Sequence, residues 1–262
     1  MSKTRRTRLF SPLLLAVLTT PGHADDSKLV TLLQLDIAEK KIEHTFTEAA
    51  GNVQFGGYVS SAIYGAGIAK GRFTVSASFE QPLKTDTSYQ ANTGTFTNLS
   101  RNDRSLTFGY MLNSWANVFV GYKRGETQSS GLGRDSMSFP STVAPNALDF
   151  IETGPFIGCN LNYEVNDDNT LGLNIAYADM DGEMVNKINY AGGGGTGPGS
   201  ATGTADGLSV GIKWSHVLTP QAYLNIGLKL NQYETTATDV NGTKIQFDSD
   251  YTYLTVGVSY LM

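Results

Sequence analysis

Hydrophobic and polar residues alternate one by one over seven segments between Ser105 and Met262. Each segment has a hydrophobic residue, a small or polar residue and a second hydrophobic residue beside a central glycine, as in LTFGYML, LSVGIKW and YLTVGVSYLM. A repeat of two is typical of a β-strand with one apolar and one polar face. Segments of about ten residues joined by turn formers are typical of membrane-spanning β-barrels. The pattern predicts an all-β fold, a transmembrane antiparallel up-and-down β-barrel.

Eight strands follow directly from this alternation. They cover residues 72–81, 104–113, 117–126, 154–165, 169–179, 207–218, 222–233 and 251–262. Short connections rich in turn formers alternate with long polar connections at 82–103, 127–153, 180–206 and 234–250. Short turns belong on the periplasmic side of such a barrel and long loops on the outside. A soluble β-sandwich would also alternate, but it would not need such a regular succession of short and long connections.

The N-terminal region decides the number of strands. Residues 52–70 are apolar without a helical pattern, so we predict a strand that descends into a tight turn at 69–71. An even number of strands then requires one more, and the alternating residues 29–37 can supply it. We therefore predict ten strands. The alternative is an eight-stranded barrel in which residues 28–49 form an amphipathic helix, either periplasmic or plugging the lumen.

The first 24 residues have the three regions of a secretory signal peptide: a basic start, an apolar stretch at 13–18 and small residues up to Ala24. The apolar stretch is too short for a spanning helix, which needs about 20 residues. We predict a cleaved signal peptide at 1–24, a segment of uncertain structure at 25–51 and the barrel at 52–262. Cleavage leaves 15 Lys and Arg against 24 Asp and Glu, a net charge of −9, which argues against nucleic acid as a partner.

The polar face of the strands is predicted to line the lumen, and its charged residues are the candidate functional residues. They are Arg72, Glu80, Lys123, Glu164, Lys213 and Lys229. Four bases against two acids predict a modestly basic wall, which would favour anionic solutes in an open lumen. The alternative is that Lys–Glu pairs close the interior, because buried charges must be paired or hydrated.

Glycines recur at the middle of the predicted strands, also on the inward face. They are Gly109, Gly121, Gly158, Gly172, Gly211, Gly227 and Gly257. Small inward residues leave room for a narrow cavity. They also relieve curvature in a small barrel and let facing side chains interlock, which is the structural alternative.

The residues do not indicate an enzyme. Histidine is the usual general base, and the chain has three. His23 leaves with the signal peptide, His44 lies in the uncertain N-terminal segment and His216 lies at the periplasmic end of a strand. The acids Asp179 and Asp181 near an outer strand end have no histidine beside them. We predict no catalytic residues, no cofactor and no metal site.

The signal peptide, the turn pattern and the closing strand together resemble the small Gram-negative outer-membrane β-barrel proteins, a porin-like group. The last strand also resembles the C-terminal assembly signal of that class, with alternating Val256, Val258, Tyr260 and Met262, although the class usually ends in phenylalanine. The resemblance implies localisation in the bacterial outer membrane. It also implies contacts with membrane lipid and lipopolysaccharide, with the barrel-assembly machinery and with periplasmic chaperones.

Two functions agree with these observations. The first is a narrow porin-like channel or ligand-holding barrel for small solutes, and it is the function that we expect from the sequence. The second is a closed structural or surface-interaction barrel that acts through its extracellular loops. Ion conductance separates them, because a pore passes ions and a closed barrel does not.

Overall fold

Ten antiparallel strands form one closed barrel in the computed structural model. The structure describes residues 29–48, 51–85, 89–91, 94–96, 98–130, 147–187, 199–239, 242 and 244–262, so the predicted signal peptide lies outside them. The barrel strands are β1 (Leu29–Glu48), β2 (Gly51–Lys70), β3 (Phe73–Thr85), β6 (Asn98–Met111), β7 (Ala116–Ser130), β8 (Ala147–Asn166), β9 (Asn169–Lys187), β10 (Gly199–Val217), β11 (Ala222–Asp239) and β12 (Lys244–Leu261). A short separate hairpin, β4 (Tyr89–Ala91) and β5 (Gly94–Phe96), follows β3 in the chain.

This architecture confirms the prediction of a ten-stranded up-and-down barrel. The first strand, β1, closes the barrel by pairing with β12 on one side and β2 on the other. The alternative of eight strands with an N-terminal helix is wrong, because β1 occupies the segment that would have formed the helix. The described residues contain no helix that is both long and apolar enough to cross a membrane.

Four tight turns, at 71–72, 112–115, 167–168 and 218–221, lie at one end of the barrel, which we call the turn end. Gly71 adopts a left-handed conformation there (φ 57°), as the connection between β2 and β3 requires. In the next turn the side-chain Oδ1 of Asn113 accepts hydrogen bonds from the backbone N–H groups of Trp115 and Ala116. In outer-membrane barrels the short turns face the periplasm, which orients the molecule.

The strands are much longer than a membrane requires. β1, β2 and β8 each contain 20 residues, which corresponds to roughly 66 Å of extended chain. About 9–11 tilted residues are enough to cross the hydrocarbon core. The barrel therefore continues well beyond the membrane at the end opposite the turns.

The outward face carries an apolar belt next to the turn end. Its exposed residues include Leu33, Leu35, Ile37, Phe108, Val120, Ile157, Ile175, Ile212, Leu228 and Val256. The belt ends sharply, because the next outward residues are charged on several strands: Glu39 on β1, Arg124 on β7 and Asp206 on β10. The outward pattern thus marks where lipid gives way to water.

The described parts of the four stretches expected to be long loops are almost entirely strand, which corrects their predicted bounds. β9 continues through Asp179, Asp181 and Glu183 to Lys187, for example. Above the belt the outward positions are polar, whereas the inward positions include buried apolar residues such as Met180 and Met184. The alternation continues there, but the apolar face points inward and the polar face outward. Because these segments are rich in polar residues, their composition is typical of loops.

Candidate functional site

The structure brings four of the six predicted lumen charges into the barrel. Glu80 and Lys213 are buried, and Lys123 and Lys229 project inward into a partly open space. Arg72 instead lies in the exposed turn beside Gly71. Glu164 is exposed near the turn end, where the β8–β9 pairing shifts register.

The inward charges belong to a larger group that we call the charged layer. It consists of Lys40, Glu80, Arg101, Asp103, Lys123, Glu152 and Lys229 together with Tyr233, Tyr251 and Tyr253. The layer lies near the level at which the outward belt ends, since Arg104 and Arg124 are the outward neighbours of two of its members. Seven ionisable acids and bases therefore share the middle of the barrel.

Arg101 is the centre of this layer and is fully buried. Its guanidinium donates two hydrogen bonds of 2.8 Å to the two carboxylate oxygens of Asp103 and one of 2.8 Å to Glu152 Oε2. A fourth hydrogen bond reaches Thr127 Oγ1 at 2.8 Å. The guanidinium also lies 4.0 Å from the ring centre of Tyr251, a cation–π contact. Nearly all the donor capacity of Arg101 is thus used inside the barrel.

Further contacts cross the lumen between distant strands. Tyr251 on β12 donates a hydrogen bond of 2.7 Å to Glu152 Oε1 on β8. Lys123 on β7 donates one of 2.8 Å to the hydroxyl oxygen of Tyr233 on β11. Each of these pairs joins strands four places apart around a ring of ten. The contacts therefore connect strands on nearly opposite sides of the barrel.

Lys40 closes the same layer from the β1 side. Its ammonium group is 2.6 Å from Glu80 Oε1 and 3.0 Å from Asp103 Oδ2, and its side chain is fully buried. Tyr253 donates a weaker hydrogen bond of 3.3 Å to the same Asp103 oxygen. Asp103 consequently forms ion pairs with two cations, Lys40 and Arg101.

A cavity of about 70 Å3 remains beside the charged layer. Its polar lining includes Lys123, Lys229, Ser209, Asn231 and Asp103. Lys229 contributes its ammonium group, which lies 5.9 Å from the ring centre of Tyr253. A space of this size holds several waters or a small ion but no larger solute.

Polar side chains and the rings of Phe119 and Phe156 occupy the lumen between this cavity and the turn end. Asn174 donates to Asn160, and Asn160 donates to Asn117, at 2.7 and 2.9 Å. Lys213 is buried near Asp36, with which it interacts electrostatically, and its Nζ has no hydrogen-bond partner among the described residues. The lower lumen is therefore also occupied by protein atoms.

A cluster of apolar side chains packs in the lumen above the charged layer. This upper apolar cluster consists of Leu148, Phe150, Met184, Ala201, Ala237 and Phe247. His44 on β1 stacks on Phe150 of β8 with ring centres 4.5 Å apart, so the cluster is contacted from the opposite wall. His44 lies above the belt, and burial together with the charge of Arg101 lowers its pKa to about 3. His44 is thus neutral and forms part of the packing.

Mid-strand glycines allow facing aromatic rings to enter the lumen. A Cβ at Gly158 would lie 2.4 Å from the ring of Phe119, and one at Gly121 would lie 2.3 Å from the ring of Phe156. A Cβ at Gly257 would clash with Asp36. These contacts are those of interlocking side chains, the structural alternative considered for the glycine pattern.

Sequence reasoning missed most of the charged layer. Lys40 lies in the segment assigned no structure, and Arg101, Asp103 and Glu152 lie in stretches assigned to loops. Above the belt the alternation continues with apolar residues on the inward face, and this pattern could have identified these stretches as strands. Tyr251 and Tyr253 were within a predicted strand, but their inward position was not interpreted.

The acids and the histidines noted in the sequence lie in different parts of the barrel within the described residues. Asp179 lies opposite Asp206 across β9 and β10, just above the belt and not at the outer rim. His216 lies at the turn end, where it stacks on Trp214 and bonds Asn169 Oδ1 at 3.0 Å. The described residues also contain no group of three or more His, Cys, Asp or Glu that could hold a metal ion.

The residues of the predicted assembly signal lie on the outward face of the closing strand. Val256, Val258, Tyr260 and Met262 are all exposed there. β12 pairs with β1 and β11 over most of its length. In the folded barrel these side chains therefore face lipid.

No protein-family model matches the chain, and no curated protein matches its sequence. Among solved structures it is similar to the outer membrane protease OmpT from Escherichia coli, with a TM-score of 0.60 and 14% identity over 91% of this chain and 98% of that chain. Weaker matches are the translocator domain of autotransporter NalP from Neisseria meningitidis (TM-score 0.43, 14% identity, 87% and 88% covered) and Neisserial surface protein A (0.35, 13%, 88% and 96%). The OmpT match shows the fold of a Gram-negative outer-membrane β-barrel.

Proposed function

We propose that this protein is an outer-membrane barrel with a closed lumen, which acts through its outward and extracellular surfaces rather than as a channel. One observation carries the proposal: hydrogen-bonded charged side chains cross the lumen, with apolar packing above them. Arg101 and Glu152 are each almost completely buried in this layer. A hydrated ion would have to break these contacts in order to pass.

The narrow channel expected from the sequence is the competing function. Its support was a basic lumen wall, and Lys123 and Lys229 do project inward. Lys123, however, is held by Tyr233 across the lumen. The remaining cavity of about 70 Å3 holds only a few waters or a small ion. The lysines thus fit a closed interior better than a conducting wall.

Membrane lipid is the first partner that the outward face fits. Arg104 and Arg124 lie directly opposite each other on β6 and β7, one position above the belt. Like charges directly opposite on paired strands repel. A lipid phosphate at this level would relieve the repulsion, because guanidinium groups bind phosphate oxygens in pairs. We expect lipopolysaccharide phosphate to occupy this position, and the assembly machinery to read the final strand before closure.

A non-catalytic role follows from the same arrangement. His44 is packed between Phe150 and Ser249 in the lumen, with its Nδ1 2.8 Å from Ser249 Oγ. His216 lies at the opposite end from the extracellular surface. Neither imidazole lies beside the outward acids Asp179 and Asp206, and this separation supports a non-catalytic role.

Planar-bilayer recording of the refolded protein without residues 1–24 tests the closed lumen. We expect no stable openings from barrels that migrate as heat-modifiable bands on gels. A variant with Arg101→Ser, Lys123→Ser and Glu152→Ser removes the contacts of the guanidinium and both transverse hydrogen bonds, and it should conduct. Arg124→Ser on the outward face should remain silent. Stable openings of the unmodified barrel, with ion selectivity altered by Lys123→Glu, would overturn the proposal in favour of a channel.

A further inference from the structure

The cations and carboxylates of the charged layer do not balance. It contains four cations, Lys40, Arg101, Lys123 and Lys229, and three carboxylates, Glu80, Asp103 and Glu152. All three carboxylates are engaged by the first two cations. The layer therefore carries one positive charge in excess, with Lys123 and Lys229 as the cations outside its ion pairs.

Lys123 and Lys229 differ in their surroundings. The ammonium of Lys123 donates to Tyr233 and lies 4.6 Å from the centre of that ring. The ammonium of Lys229 makes no hydrogen bond or ion pair with the residues that the structure describes; its contact is the Tyr253 ring at 5.9 Å. A cation inside the barrel without a direct counter-charge favours an anion in contact with it. Lys229, in the partly open cavity, is therefore the position of the charged layer that favours a compensating anion.

The cavity beside Lys229 offers further polar atoms that lack partners. Ser209 Oγ and Asn231 Oδ1 have no hydrogen-bond partner among the described residues, and both side chains are more than nine-tenths buried. Both residues line the same space of about 70 Å3 as Lys229. A hydroxyl group can donate, and a carboxamide turned about its last bond presents N–H donors. One ammonium and two neutral donors can thus surround a single small anion.

We propose that this cavity binds one monovalent inorganic anion, chloride in the cell, held by Lys229 with Ser209 and Asn231. A monatomic anion fits the available volume, and one negative charge cancels the excess charge of the layer. The inference concerns a ligand and does not require the lumen to be closed. A conducting barrel could hold the same anion, so conductance and anion binding test separate claims.

Bromide is the probe, because its anomalous X-ray scattering identifies it among waters. Crystals of the full barrel grown in sodium bromide should show an anomalous peak within about 3.5 Å of Lys229 Nζ, at ordinary hydrogen-bond or contact distance. The peak should disappear in Lys229→Met. It should persist in Lys41→Met, which removes an exposed lysine paired with Glu43 on the outside of β1. A bromide-free cavity in the unmodified protein, filled by water alone, would overturn the proposal.

Thermal stability provides a readout that does not depend on crystals. At constant ionic strength, replacing gluconate with chloride should raise the Tm by about 3–5 °C for each tenfold increase of chloride above its dissociation constant. Lys229→Met should abolish this dependence, and Lys41→Met should retain it. Equal chloride dependence in all three proteins would show that the effect arises outside the cavity and would refute the site.

Discussion

Replacing Arg101 with methionine tests whether the charged layer holds the barrel together. Methionine keeps much of the buried volume but removes the cation and all four hydrogen bonds of the guanidinium. Asp103 retains Lys40 as a partner at 3.0 Å. Glu152 retains only the hydroxyl of Tyr251 at 2.7 Å. The principal consequence is a buried carboxylate without a direct ion-pair partner.

The size of the effect follows from that geometry. Removing one partner of a buried ion pair typically costs about 3–5 kcal/mol, because the remaining charge stays desolvated and uncompensated. Adding Glu152→Gln removes this charge while preserving an acceptor for Tyr251. The double variant still leaves a buried amide whose N–H groups lack partners, which costs about 1–3 kcal/mol. It should therefore recover only part of the loss, on the order of 2 kcal/mol. The recovery distinguishes electrostatics from lost packing, which a second substitution would not repair.

Arg124→Met is the matched control. Arg124 is on the neighbouring strand β7, faces outward and has a single ion pair of 3.7 Å with Glu126. Partly exposed pairs of this kind contribute about 0–1 kcal/mol. The two substitutions make the same chemical change, but only one removes a charge from the lumen.

Unfolding in guanidinium chloride from lipid vesicles measures these differences. Trp115 and Trp214 are the only tryptophans of the chain and report on the barrel by their fluorescence. The unfolding curves give a free energy for each variant, and the four proteins of the Arg101–Glu152 cycle give the coupling between the two sites. A loss below about 1 kcal/mol in Arg101→Met, comparable with Arg124→Met, would refute the reasoning. A double variant less stable than Arg101→Met would refute it as well.

Three further outcomes are expected. Burial lowers the folded-state pKa of His44 to about 3, so below about pH 6.5 the unfolded chain binds one proton that the folded chain does not. The free energy of unfolding should therefore fall as the pH drops from 6.5 towards 3. His44→Gln should show a shallower decline. Gly158→Ala should destabilise the barrel by about 1–3 kcal/mol in the same unfolding assay, whereas Gly172→Ala, whose nearest contact is at 3.2 Å, should cost less. Replacing Arg104 and Arg124 with glutamine should reduce co-purifying lipid A in native mass spectra; unchanged retention, or equal retention of lipid A without phosphates, would contradict a phosphate contact.

The belt could be predicted from the sequence because lipid imposes a simple rule on its outward positions. Residues such as Phe108, Val120 and Ile212 must be apolar wherever they meet hydrocarbon, so alternation alone identified eight strands. Predicting β1, the first strand in the chain, required the additional argument that the number of strands is even. Its first half alternates like the other strands, and Leu33, Leu35 and Ile37 are indeed exposed on the belt.

The charged layer could not be predicted in the same way. Arg101 and Lys40 are separated by 61 positions in the chain, and no spacing within one segment reveals that both contact Asp103. Their proximity depends on the stagger of β1, β3 and β6 around the closed barrel. Inward phase could be assigned to Lys123 and Lys229 because their strands were recognised. The position of each charge along the barrel axis, and therefore its partner, depends on the register between neighbouring strands.

The exchange of faces along each strand explains why the charged layer lies where it does. In the belt the outward side chains meet lipid, and many inward positions are polar, as Asn160 and Ser215 illustrate, with inward rings such as Phe119 between them. Above the belt the outward side chains meet water, so apolar residues such as Phe150 can pack inside as in a soluble protein. Charged groups at the junction are enclosed by neither hydrocarbon nor a continuous apolar core, and they have room for the hydrogen bonds that burial requires. Their transverse pairing stabilises the barrel at the level where its two kinds of packing meet.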